Sequence, residues 1–364
     1  MSARGAIAIT GIGAVTPIGV SAIETAASVR AGICRFREEG VYEPIGAEGG
    51  DPPEPVTASA VATLSPSAVG PARIFELAVR AVRDLLREQS LAGGADRADG
   101  KMTGWFLALP EEDPVTASWG LAKALGPALL DRFGDGSSAV AAVSAQGSAG
   151  SLTILGNAAE AIRSGSLTRA VVVGADTFID RDRLALLDRD HRVKSGRSSA
   201  GMIPGEGATA LLLEGAADAI RRRARVLATF GEVGTGDEPQ TSGGDRESSG
   251  RGLTHALRAA LAGGAAHAPR WILCNLNGEP YRAVEWGTAS VRLARELGAG
   301  ARISHAADCV GEIGAAIGGV MIAQAIAGFA RGYAPAPEAL LWAGCDGGSR
   351  AAVRVLAPAP RTEG

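Results

Sequence analysis

One pattern occurs twice along this 364-residue chain, and it leaves few folds open. Ala170-Val171-Val172-Val173-Gly174-Ala175-Asp176 is an apolar run with no polar alternation, as in a central strand covered on both faces. Leu340-Leu341-Trp342-Ala343-Gly344-Cys345-Asp346 resembles it. Trp105 to Leu109 reads as another buried strand, and Trp271 to Leu276 resembles that one. Arg225 to Phe230 runs into Gly231-Glu232-Val233-Gly234, as the opening strand Ala6 to Thr10 runs into a Gly-rich stretch. Leu253 to Leu261 resembles the helix ahead of Trp105, and the small-residue helix Ala315 to Ala327 matches the helical run Leu152 to Ile162. Two similar halves, residues 1–220 and 221–364, each alternate strand and helix. They point to a duplicated α/β fold in one body with a pseudo-twofold axis, since no clean linker divides them.

Local signals add detail. The glycines and proline of Gly11 to Gly19 predict a turn. Ser21 predicts an N-cap for a helix through Arg30. Phe75, Val79, Val82 and Leu86 recur at helical spacing within Ile74 to Glu88. Gly40 to Pro55 reads as a surface loop, and Glu111 to Gly136 as the mouth of a pocket. With aromatic residues at only 4%, the core must be aliphatic.

Composition also excludes functions. A net charge of −3 argues against a nucleic-acid binder. No apolar run approaches the ~20 residues that span a bilayer. Met1 to Gly5 lacks a signal-peptide pattern, so a cytoplasmic location is expected. Cys34, Cys274, Cys309 and Cys345 have neither metal-ligand nor pairing spacing; they read as small buried apolar residues, with no metal and no cofactor implied. The basic run Arg221 to Arg225 is either a solvated helix end or a docking patch for an acidic carrier protein.

The chemistry-bearing stretch is Gly147-Ser148-Ala149-Gly150-Ser151, a small-residue turn between the apolar segment Ala139 to Val143 and a helix. Such a turn exposes a side chain at a helix N-terminus, where negative charge is stabilised.

Five segments in order resemble the β-ketoacyl synthase (ketosynthase) branch of the thiolase-fold family. They are Ile9 to Gly19, Ala158 to Gly165 with Val172 to Asp176, Gly201-Met202-Ile203-Pro204-Gly205-Glu206-Gly207-Ala208, Gly311-Glu312-Ile313-Gly314-Ala315-Ala316, and Gly344 to Ser349. The resemblance implies a five-layered α/β/α/β/α body and a dimer. Family members use a cysteine to carry the acyl group and two histidines to support decarboxylation of a malonyl unit. Counting along the motifs places Ser148 at the nucleophile position, Asn277 at the first histidine and Asp308 at the second, with Cys309 one residue away. Ile303 and Ser304 stand where the family has a lysine. Gln146, Gly147 and Gly311 complete the expected substrate-binding surface. A serine hydroxyl needs a base, Asn277 cannot take a proton, and a carboxylate opposes a developing enolate.

The expectation is a catalytically silent subunit, similar to a chain-length factor, that pairs with an active ketosynthase and meets acyl carrier protein in fatty-acid or polyketide synthesis. Two alternatives stand beside it. One is an enzyme that acylates Ser148 from an acyl-thioester. The other is a homodimer that holds an acyl chain or carrier protein without turnover. Asn277 can equally be a turn residue, Asp308 a helix cap and His305 a structural histidine; His191, His255 and His267 carry no assigned role.

Overall fold

In the computed structural model, residues 6–42, 55–91, 102–195, 198–244, 247–262 and 267–359 are described. The first half runs β1 (Ile7–Val15), α1 (Ala22–Arg30), β2 (Arg37–Glu39), β3 (Val56–Ala58), α2 (Gly70–Leu91), β4 (Thr103–Ala108), α3 (Leu121–Phe133), β5 (Ser138–Ser144), α4 (Gly147–Arg163), β6 (Arg169–Thr177), α5 (Arg181–Arg189), β7 (Glu206–Gly215) and α6 (Ala216–Arg221). The second runs β8 (Ala228–Asp237), α7 (Arg251–Leu261), β9 (Trp271–Cys274), α8 (Pro280–Arg292), α9 (Ala294–Leu297), β10 (Arg302–His305), α10 (Ala307–Val310), α11 (Ile317–Ala330), β11 (Glu338–Gly344) and β12 (Ser349–Leu356).

The strand order is β5-β4-β6-β7-β1 in the first half and β10-β9-β11-β12-β8 in the second. With β2 and β3 set aside as a separate two-stranded sheet, and counted from the start of each half, both orders are third, second, fourth, fifth, first. The pairing directions repeat as well: the third, second and fourth strands are parallel, and the fifth is antiparallel to both of its neighbours. Ile7 to Ile9 pairs with Phe230 to Ala228, which joins the halves into one ten-stranded sheet.

Alternation along the strands builds the layers. Ala170 and Val172 face the centre with Leu152, Leu155, Ile317 and Val320, which belong to α4 and α11. Leu341, Ala343 and Val353 close that layer from the other half. Val171 and Val173 face outward against α2 and α3. Leu340, Trp342 and Ile272 face outward against α7 to α9. The result is the thiolase-like five-layered body, with α4 and α11 between the two halves of the sheet. These two helices touch at Gly318, whose N–H donates to Ser151 Oγ at 3.1 Å; a Cβ there would sit 2.4 Å from that oxygen.

Three local expectations are corrected. Gly11 and Gly13 lie within β1, which continues to Val15, and only Thr16 to Gly19 makes the turn. Glycine is needed because α2 packs on the strand backbone: a Cβ on Gly13 would lie 2.3 Å from the Ala81 carbonyl oxygen. Gly234 of β8 repeats this against the Ala256 carbonyl at 2.1 Å, a backbone echo of the duplication. In α2 the expected Val79 and Val82 are buried and Phe75 is half-buried, but Leu86 is exposed; Ile74, Leu77, Ala78, Ala81 and Leu85 complete the buried face. Cys34 is exposed, whereas the other three cysteines are buried. Ser21 caps α1 as expected, accepting from the Glu24 N–H at 3.2 Å. Most of the Gly40 to Pro55 stretch lies outside the described residues. No helix among the described residues is long and apolar enough to cross a membrane.

Candidate active site

The parallel strands β4 and β5 end beside one another, and the chain turns at Gln146 into α4. Ser144 Oγ donates to Gln146 Oε1 at 3.2 Å, which fixes that side chain within the turn. Gly147 adopts φ +50° and donates its N–H to the Leu109 carbonyl at 3.1 Å. A Cβ at this left-handed position would lie 3.2 Å from Glu111 Cβ, so glycine serves both the backbone angle and the close approach. Ser148 is therefore set in the first turn of α4, buried.

Its hydroxyl donates to Glu312 Oε1 at 3.3 Å. The Gly314 N–H donates to the same oxygen at 2.9 Å. Asn277 Nδ2 donates to Glu312 Oε2 at 2.8 Å and to Glu279 Oε2 at 2.9 Å, so its two N–H groups bridge two carboxylates. Glu312 is fully enclosed. Burial pushes its carboxyl above the usual range, against the pull of Arg282, the Gly314 N–H and Asn277.

A chain of charges continues from there. Arg192 is bidentate to Glu279, at 2.7 and 3.1 Å, and to Asp346, at 2.7 and 3.0 Å. Arg282 donates to Asp346 at 2.9 Å and to the Gly344 carbonyl at 2.7 Å. Burial alone would raise Asp346, but Arg192 and Arg282 hold it down at about 2. The Gly-rich turn after β11 then presents two adjacent backbone donors, Asp346 N–H and Gly347 N–H. Both are occupied by one carboxylate, Glu111 Oε2 at 2.8 Å and Oε1 at 2.6 Å. Paired backbone N–H groups of this kind form an anion-binding concavity, and here the protein fills it itself.

Ser148, Glu312, Arg192, Arg282, Asp346 and Glu111 line a cavity of about 480 Å³, with Phe178, Leu187 and Met202 on its apolar wall. Glu111 to Pro114 stand on its rim, where the sequence places a pocket mouth. Cys345 also lines it, but burial, with Glu111 nearby, pushes that thiol up to about 12 and keeps it protonated at neutral pH. No histidine is among its described lining residues. Among the described residues, no group of three or more His, Cys, Asp or Glu is arranged to hold a metal ion.

Of the residues singled out in the sequence, Ser148 and Asn277 converge on Glu312. Gly311 supports that loop at φ +72°, where a Cβ would lie 2.7 Å from the Ile203 carbonyl oxygen. Asp308 is elsewhere. Its side chain is 68% exposed, pairs with His305 Nδ1 at 3.0 Å, and belongs to a different cavity along with Cys309. The carboxylate that meets Ser148 is Glu312, four residues on. The sequence did carry a signal for it: Glu312 lies between Gly311 and Gly314, both at positive φ, in a loop whose backbone is forced against Asp176 and Pro204. Glu111, Arg192 and the pairing of Arg192 with Glu279 had no such signal, since those contacts span 87 to 236 residues of sequence.

Comparison with known proteins agrees with this fold. Residues 131–219 match the family model of the β-ketoacyl synthase N-terminal domain. The fold is similar to the ishigamide ketosynthase/chain length factor, with TM-score 0.78 and 20% identity over 98% of this chain and 100% of that one. It is similar to a chain in a type II polyketide synthase structure of an acyl-carrier protein with its ketosynthase bound to the hexaketide. There the TM-score is 0.77 at 16% identity, covering 97% of this chain and 99% of that one. A β-ketoacyl synthase from Burkholderia phymatum gives 0.71 at 18% identity, over 97% and 100%. At these identities the likeness is one of fold. No curated protein sequence matches significantly.

Proposed function

This chain has the thiolase-like ketosynthase fold, and on that premise we propose that it is a catalytically silent, chain-length-factor-like subunit that pairs with an active ketosynthase. The observation that carries the reading is the charge around Ser148. A carboxylate, Glu312, receives the hydroxyl where a decarboxylating site needs donors, and a second, Glu111, fills the backbone donor pair across the cavity. Decarboxylative condensation builds negative charge on an enolate, and fixed donors must meet it. Carboxylates oppose that charge, and Asn277 supplies no proton in place of an imidazole. The intact scaffold remains able to complete a partner's acyl pocket and to meet an acyl carrier protein. The ishigamide relative, named as a ketosynthase/chain length factor, has this fold at its full length.

Co-expression with a ketosynthase encoded beside it tests the pairing. The expected result is a stable heterodimer on native mass spectrometry, whose products change in length when this subunit is omitted or its cavity narrowed. A protein that remains homodimeric in the presence of that ketosynthase would instead support an acyl- or carrier-binding module.

One observation favours a second reading. Ser148 Oγ lies 3.3 Å from a carboxylate whose affinity for protons is raised by burial, the direction that suits a general base. In that case Glu312 takes the hydroxyl proton while Ser148 Oγ attacks an acyl-thioester; the C–S bond breaks, an ester forms, and the thiolate leaves with the proton. A covalent acyl adduct on Ser148 distinguishes this reading from silence.

A further inference from the structure

A second cavity, of about 460 Å³, lies between β1, α1 and the C-terminal half of α11, and none of its lining residues belongs to the Ser148 cavity. The 14-residue helix α11 is about 21 Å long at 1.5 Å per residue, and it separates the two along its length: its start packs at Ser151, its end at this cavity. The walls are small and apolar, with Ala26, Ala27, Ala323, Ile326 and Ala327 prominent. The volume is within the usual range of a small-molecule site. A smaller chamber of about 290 Å³ adjoins it, sharing Ala26, Arg30 and Tyr333 and reaching Arg302 and Gln324.

The boundary between the two chambers is cationic. Arg30 stacks on the Tyr333 ring, 4.2 Å from its centroid. Burial raises the Tyr333 phenol, while Arg30, Arg331 and Arg302 are all near enough to oppose that shift. Arg225 stands on the rim of the larger chamber. These four arginines are exposed, and among the described residues none of them makes a salt bridge. The acidic groups of the walls are Glu88 in the larger chamber and Asp308 in the smaller, the latter already paired with His305. An independent sign comes from Gln324, which lines the smaller chamber at 6% exposure with no hydrogen-bond partner for its Nε2. A buried amide left unpaired is costly unless something else satisfies it.

We propose that the paired chambers bind a single-chain anionic amphiphile, its aliphatic chain in the alanine-lined chamber and its carboxylate or phosphate head among Arg30, Arg302 and Arg331. Guanidinium groups suit either head, and Gln324 supplies a further donor. The volume of about 460 Å³ suits an aliphatic chain of medium length.

Isothermal titration of the full-length protein with decanoate, decyl phosphate and decanol, each below its micellar concentration, tests this. Saturable binding of decanoate or decyl phosphate at one site per chain is expected, with decanol at least tenfold weaker; whichever anion binds tighter identifies the head. Arg30→Gln with Arg331→Gln should weaken binding tenfold or more, Ala327→Phe should abolish it, and Ser148→Ala should leave it unchanged. The two arginines are exposed, so that variant keeps the test valid if Ala327→Phe fails to fold. No saturable binding of either anion, equal binding of decanol, or indifference to the arginine pair would overturn the proposal.

Discussion

Replacing Arg350 with methionine should be one of the most damaging single changes in the second half. The guanidinium is fully buried and makes five hydrogen bonds. They go to Glu285 at 2.6 Å, to the Tyr281 hydroxyl at 2.8 Å, and to the carbonyls of Cys345, Gly347 and Ser349 at 2.9, 2.8 and 2.9 Å. It thereby holds the Gly-rich turn that aims the Asp346 and Gly347 N–H groups at Glu111. Its partner Glu285 is equally buried, and Glu285 Oε2 has no hydrogen bond. Removing one member of such a pair strands the other charge, at a cost of about 3–5 kcal/mol against a total stability of roughly 5–15 kcal/mol. Glu285 is already raised above its usual value by burial, with Arg350 the foremost opposing influence. In Arg350→Met it rises further, so the fold holds this proton to higher pH than the unfolded chain does. The deficit should then be larger at pH 8, where folding must protonate it, than at pH 5. Urea unfolding at both pH values measures this. Arg350→Met/Glu285→Met should recover most of the loss, because an apolar pair of similar volume leaves no stranded charge. A single-variant cost below about 1 kcal/mol, or a double variant no better than the single, would refute the reasoning.

Three further outcomes follow from the same geometry. Gly314→Ala should destabilise the protein by several kcal/mol, on the order of 3 or more: φ is +47° and the new Cβ would lie 1.9 Å from Asp176 Oδ2, and a drop in thermal midpoint checks it. Asp346 sits at about 2 against an ordinary 3.8, so its contribution is present above pH 3.8 and is lost as pH falls toward 2; at 34% side-chain exposure, solvent screening reduces it to about 1 kcal/mol, which an acid titration of stability compared with Asp346→Asn reads out. Asp308→Asn should change stability by less than about 0.5 kcal/mol and leave the Ser148 cavity unaltered, as chemical denaturation shows.

What the sequence made legible follows from range of interaction. Val171 to Val173 and Leu340 to Trp342 read correctly as central strands because a strand covered on both faces needs no polar residue. The duplication was visible for the same reason. The end of β1 was misread because Gly11 and Gly13 look like turn residues until α2 is laid on them. That α2 buries Leu85 and not Leu86 is set by the sheet strands β1, β6 and β7 on which it packs. The site was half legible. Ser148 and Asn277 do meet, on Glu312, but Asp308 lies at a different cavity and Glu312 is the carboxylate at Ser148. The charge relay through Arg192, Glu279 and Asp346 exists only once both halves are folded together.

The proposed silence of this subunit means that Ser148 forms no acyl intermediate. Intact-protein mass spectrometry tests it most directly, with wild type and Ser148→Ala incubated with acyl- and malonyl-thioesters of several lengths, alone and with the partner ketosynthase. No adduct is expected on either form of this chain, with the acyl group found on the partner. An adduct on the wild type that disappears in Ser148→Ala would contradict it.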